Sequence, residues 1–188
     1  MKSFKLLCFF LLILLINCAQ AQQKNKIPQF RNFEWETSPE IIRKNEEAKF
    51  LQSFEGFGVF ALSFRGNFIG LNARIDFTFK DKKLVEGSYQ IQSDLSYEED
   101  FIKIENHLSK LYGKPKYWAI RKFDSDRHWV KETDLGTFRG PELFWEFGNG
   151  FIAIHSSRFI DEITIKVLYV YNQKISEYGN ADVFTLQY

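Results

Sequence analysis

From Ile69 to Phe79 apolar and polar residues alternate without a break. Ile69, Leu71, Ala73, Ile75, Phe77 and Phe79 stand against Gly70, Asn72, Arg74, Asp76 and Thr78. A period of two predicts a strand with one dry and one wet face. Residues 57–64 predict a strand before it, across a turn at Arg65-Gly66-Asn67. Residues 84–91 predict one after it, across Asp81-Lys82-Lys83, with Val85, Tyr89 and Ile91 facing one way. Further on, residues 117–123 and 127–131 can pair across Asp124-Ser125-Asp126. Residues 143–147 and 151–155 flank Gly148-Asn149-Gly150, a hairpin signal. Ile163, Ile165, Val167, Tyr169 and Tyr171 mark a long last strand.

Two stretches switch to helical spacing. Ser38-Pro39-Glu40 opens a helix expected over 39–50, with Ser38 as cap and Pro39 preorganised for the first turn. Ile41, Ile42, Ala48 and Leu51 are its expected apolar contacts. Ser96-Tyr97-Glu98-Glu99 reads as a capping box for a second helix over 97–112. Its stripe is Tyr97, Phe101, Ile104, Leu108 and Leu111, and Gly113 and Pro115 stop it. The order is helix, three strands, helix, then four or five strands. Runs of adjacent strands imply antiparallel pairing, hence an α+β fold with two main helices on one face of the sheet. Each half opens on a helix that follows a serine, and residues 64–69 loosely echo 147–152. The order therefore reads as two related α-β-β-β halves. Ile75, Phe77, Phe101, Ile104, Leu108 and Ile165 are the expected core.

Residues 1–21 carry no such pattern. Lys2 and Lys5 precede an apolar run from Leu6 to Ile16, and Ala19-Gln20-Ala21 supplies a small-x-small cleavage site. This is the layout of an export signal, and the run is too short for a membrane span. Leu15-Ile16-Asn17-Cys18 also reads as a bacterial lipobox with Cys18 as the lipidated residue, although Asn17 replaces the usual small residue. Both readings stand. Residues 22–29 are polar and read as a flexible tether, and residues 30–188 as a single domain. Cleavage after Ala21 removes two lysines and no acids, so the net charge of +1 becomes −1. A nucleic-acid binder would show a basic stripe, and none is present. The charge gives no reason to sit on an anionic membrane, so a lipid anchor is the only membrane link expected. Both cysteines, Cys8 and Cys18, precede the domain, which excludes thiolate metal sites and cysteine nucleophiles within it.

Three signatures point to relatives: Trp35-x-x-Ser38-x-x-x-Ile42, then a strand ending in Phe79-Lys80-Asp81-Lys82-Lys83-Leu84, then Leu111-Tyr112-Gly113-Lys114-Pro115. The chain resembles an uncharacterised group of exported bacterial proteins and lipoproteins that carry Trp-Gly-x-Ser before the first helix and Tyr-Gly-x-Pro after a later one. Glu36 stands where that glycine usually sits. The resemblance spans about residues 30–171. It implies a fold and an address, and brings no catalytic residue.

No assembled catalytic set is visible. His107 lies on the second helix beside Leu108 and Leu111, a boundary position. His155 follows Ile152 and Ile154 on a strand without an acid at useful spacing, and no nucleophile elbow is present. Asp124-x-Asp126-x-His128 is the best metal candidate, since the three project to one side of an extended segment; the competing reading is a solvated turn. Glu98, Glu99 and Asp100 complement the start of a helix dipole. The aromatic residues are the remaining signal. Three of the four tryptophans fall between residues 118 and 145, and Phe144, Trp145 and Phe147 put rings on both sides of one strand. Either the strand is covered on both faces, or Trp118, Trp129, Phe144 and Trp145 belong to a groove for a protein, a sugar or a small apolar ligand. The leading expectation is a non-catalytic binding or structural protein of the bacterial cell envelope. It would be periplasmic or surface-displayed, and lipid-anchored if Cys18 is modified. An inhibitor or chaperone-like module clasping another exported protein is the alternative, and a hydrolase with a scattered site the third. No motif requires a cofactor.

Overall fold

The computed structural model describes residues 26–56, 58–93, 96–117, 138–139, 143–159 and 162–173. The elements run α1 (Pro39–Asn45), β1 (Lys49–Gly56), β2 (Val59–Phe68), β3 (Leu71–Lys80), β4 (Lys83–Gln92), α2 (Tyr97–Tyr112), β5 (Lys116–Tyr117), β6 (Phe138–Arg139), β7 (Leu143–Phe147), β8 (Gly150–Phe159) and β9 (Glu162–Tyr171). The strands form one sheet in the order β1-β2-β3-β4-β9-β8-β7-β5, with β6 on β8. Every pair is antiparallel. The fold is α+β, and two meanders meet where β4 pairs with β9, Tyr89 opposite Val167.

Alternate residues of these strands build one apolar cluster. Leu62, Phe64, Ile75, Phe77, Phe79, Ile91, Ile165, Val167, Ile152, Ile154, Leu143 and Trp145 belong to it, as do Ile42 of α1 and Tyr97, Phe101, Ile104 and Leu108 of α2. All six expected core residues are buried. The Gly148-Asn149 hairpin forms as predicted, with Phe147 opposite Gly150.

An N-terminal arm closes this cluster. Phe30 lies over Gly87 of β4, where a Cβ atom would come within 2.2 Å of its ring. The rings of Phe77, Tyr89 and Tyr169 surround it with centroids 5.1, 5.0 and 5.3 Å away. Trp35 stacks on Tyr171 at 5.4 Å, and its indole N–H donates to the Pro28 carbonyl at 3.1 Å. The Ile27 N–H donates to Asn149 Oδ1 at 2.7 Å, and Ile27 is buried. The flexible tether expected over 22–29 therefore does not extend to Ile27, and the folded part begins before residue 30.

Four further expectations are corrected. The first helix ends at Asn45, not near residue 50, and a strand, β1, follows. Residues 46–56 include good helix formers, but Arg31 clamps the Glu46 carboxylate through Nε at 2.9 Å and Nη2 at 2.8 Å. Glu46 Oε1 also accepts the Ala48 N–H at 2.8 Å. Pairing of β1 with β2 then outweighs local propensity. Ile41 is exposed, as is Leu51, which occupies the irregularity between Phe50 and Gln52. Second, Arg65-Gly66-Asn67 continues β2, and the chain reverses at Ile69-Gly70, both in the left-handed region at φ 49° and 85°. Positive φ at both central residues is what a tight hairpin of matching twist needs. Third, Leu111 is 57% exposed; one residue on, Tyr112 continues the Leu108 row and packs on the core instead. Fourth, the capping box is absent. Ser38 and Ser96 make no side-chain cap bond. Asp100 does the fastening, accepting from Ser93 Oγ at 2.6 Å and Ser96 Oγ at 2.9 Å.

Candidate functional site

A cleft of about 290 Å³ opens beside the end of α2, lined by Tyr112, Lys114, Lys116, Phe144, Trp145, Glu146 and Phe147. The local sequence explains its shape. Gly113 lets the chain leave α2 at φ 85°, and three residues later Lys116 begins β5 opposite Phe144. Tyr112 meets Phe147 edge-on at 5.8 Å and Trp145 at 6.5 Å. The Trp145 indole N–H donates to the Gly113 carbonyl at 2.7 Å, fixing its ring against the helix end. Lys116 pairs with Glu146 at 2.5 Å on the rim. Lys114 is exposed and has no carboxylate partner among the described residues.

The structure thus brings two of the four expected binding rings, Phe144 and Trp145, to one cleft and separates their roles. Trp145 is only 4% exposed and belongs to the core. Phe144 points to the opposite side of β7 and packs on a second cluster of Phe151, Ala153, Leu168 and Val170. Trp118, Trp129, the metal candidates Asp124, Asp126 and His128, and the lipidation candidate Cys18 lie outside the described residues. Among the described residues no three His, Cys, Asp or Glu stand together as metal ligands. His107 is half-buried and meets Phe68 edge-on at 5.7 Å, a boundary residue as expected. His155 is half-buried on β8, opposite Lys166 of β9.

Sequence reasoning missed Tyr112, Lys114, Lys116 and Phe147 as site residues. The Tyr-Gly-Lys-Pro stop signal contained two of them, but nothing in it says that a strand returns beside the helix end. It also missed a set of neighbouring tyrosines that runs from Tyr112 in the cleft to buried Tyr169 and Tyr89 in the core. Burial pushes Tyr89, Tyr112 and Tyr169 above the ordinary phenol range, Tyr169 furthest, with Tyr112 and Tyr89 near it. Tyr97 is raised by the same cause, and its hydroxyl bonds Ser156 Oγ at 2.8 Å.

A second cleft of about 290 Å³ lies at the end of α1, lined by Arg31, Asn32, Phe33, Asn45, Glu46 and Glu47. Arg31 and Asn32 both hold left-handed backbone, at φ 52° and 67°. The Arg31–Glu46 pair occupies its floor. On the sheet face away from the main cluster, Asp76 is 8% exposed and fully engaged. It accepts from Ser63 Oγ at 2.5 Å, Arg74 Nε at 2.8 Å and Gln90 Nε2 at 2.8 Å. A buried carboxylate so satisfied serves the fold. No protein-family model, no curated protein and no solved structure matches the chain.

Proposed function

We propose that this chain is an exported, non-catalytic binding protein of the bacterial envelope, and that the cleft at the end of α2 is its binding site. The observation that carries the reading is the meeting of half-buried Tyr112 and Phe147 with the fixed edge of Trp145 under a polar rim. Ring-lined concavities with a few polar groups suit small ligands that present a ring or an apolar face. The export pattern of residues 1–21 supports the address, either cut after Ala21 or anchored through Cys18. In this reading both helices cover one face of the sheet. Each helix with the meander that follows it is one of two related halves, joined at β4–β9. Equal spacing supports the pairing: three residues separate α1 from β1 and three separate α2 from β5. Two-residue loops also join β2 to β3 and β7 to β8.

The test uses the mature chain labelled with ¹⁵N. The Trp145 indole N–H is hydrogen-bonded at the cleft and reports on it directly. Neutral sugars and small ring compounds, charged and uncharged, are titrated in turn. Saturable movement of this resonance supports the reading, and its indifference to every probe refutes it. Intact mass of the native protein tests the address separately; an uncut N-terminus would refute export.

A further inference from the structure

We propose that the ligand of the α2 cleft is a small ring-bearing carboxylate, with Lys114 holding its anionic group and the rings of Tyr112 and Phe147 its body. The inference rests on the binding reading above and deepens it. The two helix-end clefts are built alike. Asn45 and Tyr112 each end a helix, and Lys49 and Lys116 each open the strand that follows after three residues. Glu47 and Lys114 therefore hold the same place. In the first cleft the chain provides its own occupant: Arg31 from the N-terminal arm lies on Glu46 as a two-point ion pair. A cation meets an acidic floor.

In the second cleft the charge is reversed and the lining is aromatic. Lys114 stands where the first cleft has Glu47, and Tyr112 where it has Asn45. The neighbouring Lys116 is neutralised by Glu146, which leaves Lys114 as the rim charge without a carboxylate among the described residues. The helix end does not need it, because Lys110 already occupies the last turn of α2. The Gly113 carbonyl, which would repel an anion, is taken by the Trp145 indole. An ammonium beside ring edges, whose hydrogens carry partial positive charge, suits an anion on a flat or saccharide ring. Aromatic acids and sugar acids share this chemistry.

The experiment titrates the mature chain with benzoate and with glucuronate, each against its neutral counterpart, benzyl alcohol or glucose, reading the Trp145 indole resonance. The acids should bind about ten-fold or more tightly than the neutral forms, since a charge-assisted bond is at stake. The preference should shrink as salt rises. Lys114→Gln should abolish the preference and Lys114→Arg keep it. Glu146→Gln, which frees Lys116, should tighten the acids. Benzoate without glucuronate would identify an aromatic acid, and the reverse a sugar acid. Equal binding of acids and neutral forms, or a preference unchanged in Lys114→Gln, overturns this inference while the binding reading stands. No movement with any probe overturns both.

Discussion

A methyl group at Gly87 measures how the arm closes the core. Placed on the backbone, the Cβ of Gly87→Ala falls 2.2, 2.3 and 2.6 Å from Cδ1, Cγ and Cε1 of Phe30. Carbon atoms in contact prefer about 3.5–4.0 Å, so the ring must retreat by roughly 1.3 Å. Phe77, Tyr89 and Tyr169 surround it and leave little room for a pivot. If the ring stays, overpacking costs about 1–3 kcal/mol. If the arm lifts instead, the cost approaches that of losing a buried phenylalanine, about 3–5 kcal/mol. Without the clash the sign reverses. Gly87 has no positive φ to protect, and alanine restricts the unfolded chain, a gain of about 0.4–1 kcal/mol. Gly87→Ala should therefore destabilise the parent protein and stabilise the Phe30→Ala variant. Urea unfolding of the four proteins, followed by far-UV circular dichroism at equal m-values, gives the coupling, expected above about 1.4 kcal/mol. The same cost in both backgrounds would mean that Phe30 does not rest on Gly87.

Leu108→Ala, at a fully buried position of α2, should cost about 2–5 kcal/mol, and an unchanged melting transition would place the stripe in solvent. Asp81-Lys82 turns β3 into β4 with φ of 51° and 59°, and Lys82 is exposed; Lys82→Gly should relieve about 0.5–1 kcal/mol, and a lower urea midpoint would refute this. Tyr89, Tyr97, Tyr112 and Tyr169 are raised above 10.0 by burial. The unfolded chain then loses phenolic protons first, so their stabilisation is whole below about pH 10 and is lost as pH rises through the folded values. Tyrosinate absorbance should lag until alkaline unfolding; a folded protein with every tyrosine ionised near pH 10 would sink the assignment.

What pattern alone could reveal was decided by how local its cause is. The period-two run of β3 and the helical row of α2 were legible because each side chain's facing follows from its own backbone. β1 was not. Its helix-prone residues are extended because Arg31, 15 positions back, holds Glu46, and because β2 offers a partner. The reversal at Ile69-Gly70 hid behind a β-branched residue in left-handed backbone, where turn statistics place none. The echo between residues 64–69 and 147–152 was out of step with the strands: the first lies mostly within β2, the second spans the β7–β8 turn.

The site shows the same limit more sharply. Rings on both sides of β7 allowed either two covered faces or an open groove, because one strand cannot say which ring faces which neighbour. Trp145 is core because Ile152 of β8 stands opposite it and because Gly113, 32 residues earlier, offers a carbonyl to its indole. Phe144 faces the other way, with Ala153, its partner on β8, in the second cluster. Lys114 read as part of a helix stop, which it is. Its second aspect exists only because β5 and β7 return beside α2, so that a charge ending one element stands at the mouth of a cleft built by two others. Chemistry that depends on such a meeting has no signature in spacing, and the charge at position 114 is the substitution that reads it out.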